Sequence, residues 1–500
     1  MNRRNTLPDW QRFATYFLFL LSAAFYLLYF VHLRADFPNF SPWNDWAKST
    51  DEGWYASGAV HQKVLGNWYS PGAFNPAVPM PVWSVLAALW FRVAGFGIVQ
   101  LRVLALLVFG ASMAMLWALV RRHASILMAT LAVALILLNP FSYGFQRLAI
   151  LEPVLVFWML LCWILARRAA LSAWPLYSVV LGMSMTALLL TKSTGLVLLP
   201  SVAAYFILCG QQEGSARSLL FRRGVIATAV MAISFGAYQL AMYPYREDSR
   251  LLFSVNHGRV HLSIVPRYFM LTLRDGGWIH PVLFPLACLS LVGAAIWLRT
   301  LWKSPLFTAA ALAAAGYLMF ILYHGNLQPR YYLVVAPSIS IVLVLTLQLL
   351  MDRGPQQSNY RWATVCFAGI MLTTIVTMTV RTLRYITHPQ YTFLSATNSI
   401  RGVIDSTPSS NRFIVSDLGD EISLFTGLSS ICESYAVFPP ADLDKMHHPG
   451  WFIYLIGTNK TTPMRQYLFT HHSVVEVARY DIFDDPAHHI LVLYKVGSQN

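Results

Sequence analysis

The sequence predicts an α-helical, polytopic membrane protein with a small α/β domain at its C-terminal end. Three observations carry this. Of the 500 residues, 56% are apolar and only 12% charged, with a mean hydropathy of +0.52, and a soluble chain of this size needs far more charge to cover its surface. Apolar runs long enough to cross a bilayer recur through the first three quarters of the chain. From Tyr385 onward the composition changes: this last part holds 11 of the 22 acidic residues but only 7 of the 36 basic ones.

The apolar runs fall near 13–32, 98–120, 125–140, 153–166, 174–191, 194–210, 224–243, 281–299, 305–323, 331–351 and 362–380. About eleven spans follow. Basic residues mark every second connector: Arg3, Arg4 and Arg12; Arg121 and Arg122; Arg167 and Arg168; Arg217, Arg222 and Arg223; Arg299 and Lys303; Arg353 and Arg361. The positive-inside rule makes these connectors cytoplasmic. The N-terminus is then cytoplasmic and the C-terminal domain extracytoplasmic, in a multi-pass protein of the inner (plasma) membrane. No small-x-small cleavage site follows the first run, so it reads as a retained anchor. The outer segments are the loop 33–97, the turn 141–152, the turn at Lys192, the loop 244–280, the turn 324–330 and the residues after 381. Within the first loop, Phe74–Trp90 is apolar but broken by Pro76, Pro79 and Pro81, which suits an interfacial helix better than a span.

Two domains are therefore expected, a transmembrane part over 1–384 and an outer α/β domain over 385–500. Short β-like runs, Phe413–Ser416, Trp451–Ile456 and Ile490–Lys495, alternate there with helix-like stretches. Four of the five cysteines lie in apolar runs, and Cys432 alone falls in the outer domain, which therefore has no internal disulfide. The adjacent histidines His447-His448, His471-His472 and His488-His489 are poor chelates, since neighbours on a strand point to opposite faces.

The net charge of +14 is largely a matter of topology, and no nucleic-acid partner is implied. The informative cations lie on the outer side. Arg246, Arg250, Arg259, Arg267 and Arg274 crowd one outer loop, and Arg147, Lys192 and Arg330 sit in outer turns beside apolar runs. Lipid phosphate is the anionic partner they invite. Headgroup contact or capping of helix C-termini is the plainer account of any one of them.

Only eleven acidic residues precede the outer domain, and two places stand out. Asp51-Glu52 follows the first span, and Glu152 stands at the lip of another, just before Pro153. A carboxylate there is costly unless paired or useful. A helix start is the structural alternative in both cases.

These residues resemble a known family, the polyprenyl-phosphate-sugar-dependent GT-C glycosyltransferases of the protein O-mannosyltransferase and aminoarabinose transferase group. The resemblance covers about 1–380. Asp51-Glu52 matches the acidic pair of that group's first outer loop. Leu151-Glu152-Pro153 matches its second acidic motif, and Thr191-Lys192 its Thr-Lys-Gly turn, with Ser193 and Thr194 before Gly195. Pro329-Arg330-Tyr331-Tyr332 resembles a late outer Arg-Tyr turn. A further first-loop lysine of some relatives has no counterpart in Gly72–Trp83. The resemblance implies a GT-C-like fold, a polyprenyl-phosphate-linked sugar donor and an acceptor on a protein, lipid or glycan.

The chemistry suits these residue types. A sugar on a lipid phosphate has a good leaving group, so positive charge on the phosphate matters more than a strong acid. The acceptor hydroxyl needs one carboxylate base. Asp51 is assigned as that base in an inverting displacement, with Glu52 and Glu152 orienting the acceptor or the base, or helping to hold a divalent cation. Lys192 is the first candidate for the donor phosphate, followed by Arg330, Arg267 and Arg147. Trp54, Tyr55, His61 and Tyr331 are the substrate-binding candidates, and Asp51 and Glu152 are the oxygen donors if a divalent metal ion is used. An interfacial belt is the plainer reading of the loop aromatics. A transporter or lipid flippase is the main rival, against which stand the absence of an inverted repeat and the carboxylates at the rim rather than mid-span. A non-catalytic envelope scaffold or sensor is the second.

Overall fold

The computed structural model describes residues 9–71, 73–255, 265–325, 327–408, 411–433, 439–456, 462–483 and 488–498. Arg259 of the basic outer loop lies outside them.

Among the described residues, eight helices are long and apolar enough to cross a membrane. They include Ile98–Arg121, Leu151–Leu171, Arg217–Ala241 and Pro305–His324. Two bent pairs raise the number to ten: Ile126–Leu137 with Pro140–Gln146, kinked by 65°, and Val265–Trp278 with Leu283–Ile296, kinked by 120°. The first kink falls where Asn139 caps a new helix through Phe141 N (2.9 Å) and Pro140 removes a backbone donor. The run at 174–191 forms a shorter apolar helix, Leu176–Thr191. The chain is an integral membrane protein. Its innermost helix is Pro329–Arg353, and Arg217–Ala241 is the outermost, with little of its length covered by protein. Apolar side chains all round such a helix face lipid.

In the loop 33–97 the apolar stretch after Phe74 becomes a helix only at Pro81, running to Ala94. Proline is welcome at the first helical position and unwelcome later, which is why Pro76 and Pro79 stay in the turn before it.

The C-terminal residues form a five-stranded mixed sheet of β1 (Ile414–Ser416), β2 (Ser430–Cys432), β3 (Trp451–Ile456), β4 (His472–Asp481) and β5 (Ile490–Ser498), in the order β2-β1-β3-β5-β4. β1 is parallel to β2 and β3, while β5 is antiparallel to β3 and β4. Successive side chains on a strand face opposite ways. Accordingly Ile414, Ile453 and Leu491 pack under the helix Thr392–Ser406. Val415, Phe452 and Val492 pack under Pro440–His447 and Pro463–His471. Cover on both faces explains why these strands read as unbroken apolar runs. β1, β3 and β5 coincide with the expected strands; β2 and β4 are additional.

The C-terminal sheet domain sits directly on the loop that follows the first apolar helix. Asp36 accepts from Thr392 N at 2.7 Å and from Thr392 Oγ1 at 2.6 Å. Ser429 Oγ donates to Val64 O at 2.8 Å. The helix Gly419–Thr426 packs on the short helix Asp51–Tyr55.

Candidate active site

Four separate chain segments deliver charged side chains to one buried point. Asp51 opens the helix Asp51–Tyr55 of the first outer loop. Glu152 lies in the first turn of Leu151–Leu171, where a carboxylate complements the helix dipole. Lys192 ends Leu176–Thr191 in an extended conformation, the end where a cation is favoured. Arg330 sits in the single turn Pro329–Tyr331 that precedes the innermost helix.

The four are linked in one run of ion pairs, Lys192–Glu152–Arg330–Asp51. Lys192 Nζ lies 2.6 Å from Glu152 Oε1. Arg330 Nη2 lies 3.1 Å from Asp51 Oδ2, and its Nε 3.8 Å from Glu152 Oε1. Tyr331 and Tyr55 flank the lysine, with ring centroids 4.5 Å and 5.9 Å from Nζ. Lys192 is 8% exposed and Glu152 fully buried, so these pairs operate away from bulk water, where charge–charge interactions are strong.

A fifth group, Asp45, was not foreseen. Its Oδ1 caps the turn Trp46–Lys48 through Ala47 N at 2.9 Å. Its Oδ2 accepts from Arg330 N at 3.0 Å, and its carboxylate also binds the Arg330 guanidinium. Asp45 thus holds Arg330 by both backbone and side chain. The signal available in sequence was only an Asp one residue before a short helical turn, a common capping arrangement.

Three carboxylates, Asp45, Asp51 and Glu152, face two cations, Lys192 and Arg330. Burial, and after it the charges of Asp45 and Glu152, hold the Asp51 carboxyl above the usual range, with Arg330 opposing. Glu152 Oε2 is buried with no hydrogen-bond donor among the described residues, while Asp51 Oδ2 is held by the Arg330 guanidinium. Buried carboxylate oxygens are rarely left so without a reason.

The remaining predicted residues are placed elsewhere. Glu52 turns away from Asp51 and is bound by Arg102, with Nε–Oε1 at 2.8 Å and Nη2–Oε2 at 2.5 Å. It also accepts from Ala149 N at 2.8 Å. Arg147 donates to Tyr143 Oη (2.6 Å) and to His32 O (2.7 Å). His61 Nε2 meets Asp420 Oδ1 of the outer domain at 2.7 Å. Arg267 is exposed on Val265–Asp275. In the same outer loop Arg246 and Arg250 pair with Glu247, and Arg274 with Asp275. Trp54 stacks on Phe74, with centroids 5.6 Å apart. The structure therefore gathers Asp51, Glu152, Lys192, Arg330, Tyr55 and Tyr331, and leaves Glu52, Arg147, His61 and Arg267 outside the cluster.

A metal ion fits this donor set poorly. Among the described residues no group of three or more His, Cys, Asp or Glu side chains is arranged to hold one. The carboxylates of Asp51 and Glu152 are each engaged by a cationic side chain. No step is derived through a metal.

Comparison with known proteins agrees with this picture. Residues 76–237 match the family model described as dolichyl-phosphate-mannose-protein mannosyltransferase, a segment that contains Glu152 and Lys192 and begins after Asp51. No curated protein matches the chain by sequence. In fold, the chain is similar to ArnT from Cupriavidus metallidurans bound to undecaprenyl phosphate, with TM-score 0.58, 16% identity and coverage of 95% of this chain and 97% of that one. The apo form of the same protein gives TM-score 0.59 at the same identity and coverage. A mycobacterial arabinofuranosyltransferase, AftD, gives TM-score 0.46 at 12% identity, covering 100% of this chain and 40% of that one. In family model and in fold alike, the chain resembles the GT-C glycosyltransferases of the mannosyltransferase and ArnT group.

Proposed function

We propose that the chain is a membrane glycosyltransferase that moves a sugar from a polyprenyl-phosphate donor to an acceptor hydroxyl on the outer face of the membrane. The observation that carries this reading is the convergence of Asp51 and Glu152 on Arg330 and Lys192, with Glu152 Oε2 buried and unpartnered among the described residues. The undecaprenyl phosphate bound to the similarly folded ArnT supports the choice of lipid.

In this reading Asp51 takes the proton of the acceptor hydroxyl as its oxygen attacks the anomeric carbon. The bond from that carbon to the phosphate oxygen breaks, and its electron pair leaves with the polyprenyl phosphate. The configuration inverts. The departing phosphate gains one negative charge, which Lys192 and Arg330 are placed to stabilise. Burial suits Asp51 to the task, because a carboxylate held above its usual range is a stronger base at neutral pH. Glu152 orients Lys192, and the flanking rings of Tyr55 and Tyr331 line the donor's path. Glu52 acts by anchoring the helix that carries Asp51.

Residues 1–384 form the catalytic membrane part and 385–500 the outer domain, with the N-terminus cytoplasmic. The arrangement of charge favours that orientation. Arg122, Arg167 and Glu213 line one cleft at the far ends of their helices. At about 1.5 Å per residue, the stretch Arg102–Arg121 separates that end from Glu52 by roughly 30 Å.

The test uses purified protein in detergent, a solubilised envelope extract as the source of acceptor hydroxyls, and isotope-labelled polyprenyl-phosphate mannose and polyprenyl-phosphate aminoarabinose as donor probes. Loss of label from the lipid in the wild type and not in Asp51→Asn is the expected result. Equal transfer by Asp51→Asn would sink the mechanism. Mass spectrometry of envelope glycans and glycoproteins with and without the protein then identifies the acceptor.

A further inference from the structure

The helix that carries Asp51 begins without a local cap. Gly53 is its third residue, so its N–H is one of the donors that no intrahelical carbonyl can reach. Thr50, at the capping position, makes no side-chain bond to the helix backbone; its hydroxyl donates to Asp51 Oδ1 instead, at 3.1 Å. The missing acceptor arrives from the outer domain, where Glu421 Oε2 accepts from Gly53 N at 2.7 Å.

The two backbones approach too closely for any side chain on Gly53. A Cβ there would stand 2.4 Å from both the carbonyl carbon of Asp420 and the amide nitrogen of Glu421. Asp420 meanwhile binds His61 on the next helix, Ser57–Val64, at 2.7 Å. The helix Gly419–Thr426 that presents both acids is itself pressed on the sheet, since a Cβ at Gly419 would stand 2.1 Å from the carbonyl carbon of Ile431 in β2. Asp420, Glu421, Gly53 and His61 are all buried.

We propose that Asp420 and Glu421 are positioning residues for sugar transfer, the outer domain capping and clamping the helix that carries Asp51 and so fixing where the base stands. The inference rests on the reading of Asp51 as the base. Burial first, and the charge of Glu52 second, hold Glu421 well above the usual carboxylate range. A neutral carboxyl still accepts from an N–H, so an amide is a fair substitute for it. Displacement of a reacting group by about 1 Å can cost on the order of a hundredfold in rate.

Two readouts on the full-length protein in detergent separate the clamp from the chemistry. The first is amide hydrogen exchange in the peptide spanning 49–56; the second is transfer of labelled sugar from polyprenyl-phosphate mannose or polyprenyl-phosphate aminoarabinose, whichever the wild type uses, to the acceptors of a solubilised envelope extract. Glu421→Ala is expected to speed exchange at Gly53 about threefold to tenfold, the worth of one buried hydrogen bond. It is also expected to lower kcat about tenfold to a hundredfold with little change in KM for the donor. Glu421→Gln is expected to restore both. Should Glu421→Ala not be recovered folded, Gly53→Ala takes its place, prying the same contact apart from the other side.

Unchanged exchange in the variant overturns the clamp, and faster exchange with unchanged kcat overturns its positioning role. If the wild type transfers no sugar from either donor, the glycosyltransferase reading fails and the positioning role with it, while exchange at Gly53 still decides whether the cap exists.

Discussion

Arg330 Nη2 stands 3.1 Å from Asp51 Oδ2, and both side chains are buried. Through the same guanidinium Arg330 also faces Asp45 and Glu152. One cation therefore holds three carboxylates from two distant parts of the chain. Removing it strands Asp45 and Asp51 in a dry site and leaves Glu152 to Lys192 alone. Arg330→Met is expected to cost about 3–5 kcal/mol of stability, the range for breaking a buried ion pair from one side. Denaturant unfolding of the variant in detergent checks this. Arg330→Lys is expected to recover little, because a single ammonium cannot serve three partners in the geometry of a planar fork.

Asp51→Asn is expected to reduce sugar transfer by about a hundredfold to ten-thousandfold, the usual worth of a positioned general base. Binding of undecaprenyl phosphate, measured by calorimetry, is expected to change far less. In the wild type, turnover is expected to rise with pH as Asp51 loses its proton. That acid limb is expected above the ordinary carboxylate range, because burial raises the group. The limb is expected to vanish in the variant.

Lys192→Met is expected to weaken binding of undecaprenyl phosphate by about tenfold to a hundredfold, the worth of a hydrogen bond to a charged group. Glu152→Gln keeps the lysine and removes the charge that holds it at 2.6 Å. Its main effect is expected on kcat rather than on binding. The double variant is expected to be less damaging than the sum, since the two residues act as a pair.

The outer domain carries a pH dependence of its own. Burial pushes Asp417 up to about 8 and Glu433 up to about 7, from ordinary values near 3.8 and 4.5. Raised in the folded state, both hold a proton that the unfolded chain has already lost. Their contribution to stability is whole below about pH 4 and declines as pH rises toward 8. Thermal unfolding of the outer domain, followed by loss of exchange protection in β1 and β3, is expected to come at lower temperature at pH 8 than at pH 5. Asp417→Asn is expected to flatten that slope.

Much of this arrangement was legible in the residues. Apolar runs located the helices, because a bilayer demands them; Glu152, Lys192 and Arg330 stood out as charges at the ends of such runs, and Asp51 as part of an acidic pair in the loop after the first one. The partners were harder to read. Arg102 lies inside the apolar run 98–120, and an arginine there signals a buried carboxylate; Glu52 is that carboxylate. Asp45 resembles any capping residue until Arg330 arrives from 285 residues away. Glu421 gave no local sign, since its acceptor role depends on a backbone amide 368 residues earlier. β2 is too short, at three residues, for its alternation to register. Pairings of that sequence distance are set by tertiary packing, which periodicity does not encode.

The same distances impose an order on synthesis. Asp45 and Asp51 emerge early, but the guanidinium that neutralises them is made 285 residues after Asp45. Glu421 follows Gly53 by 368 residues. A growing chain therefore holds its acidic loop as an unlocked segment for most of its synthesis. The centre closes only when the innermost helix and then the outer domain have been delivered. Chains released before that point hold the acidic residues of the cluster without the cations and the cap that arrange them, so the cluster is incomplete until the C-terminal sheet domain has been made.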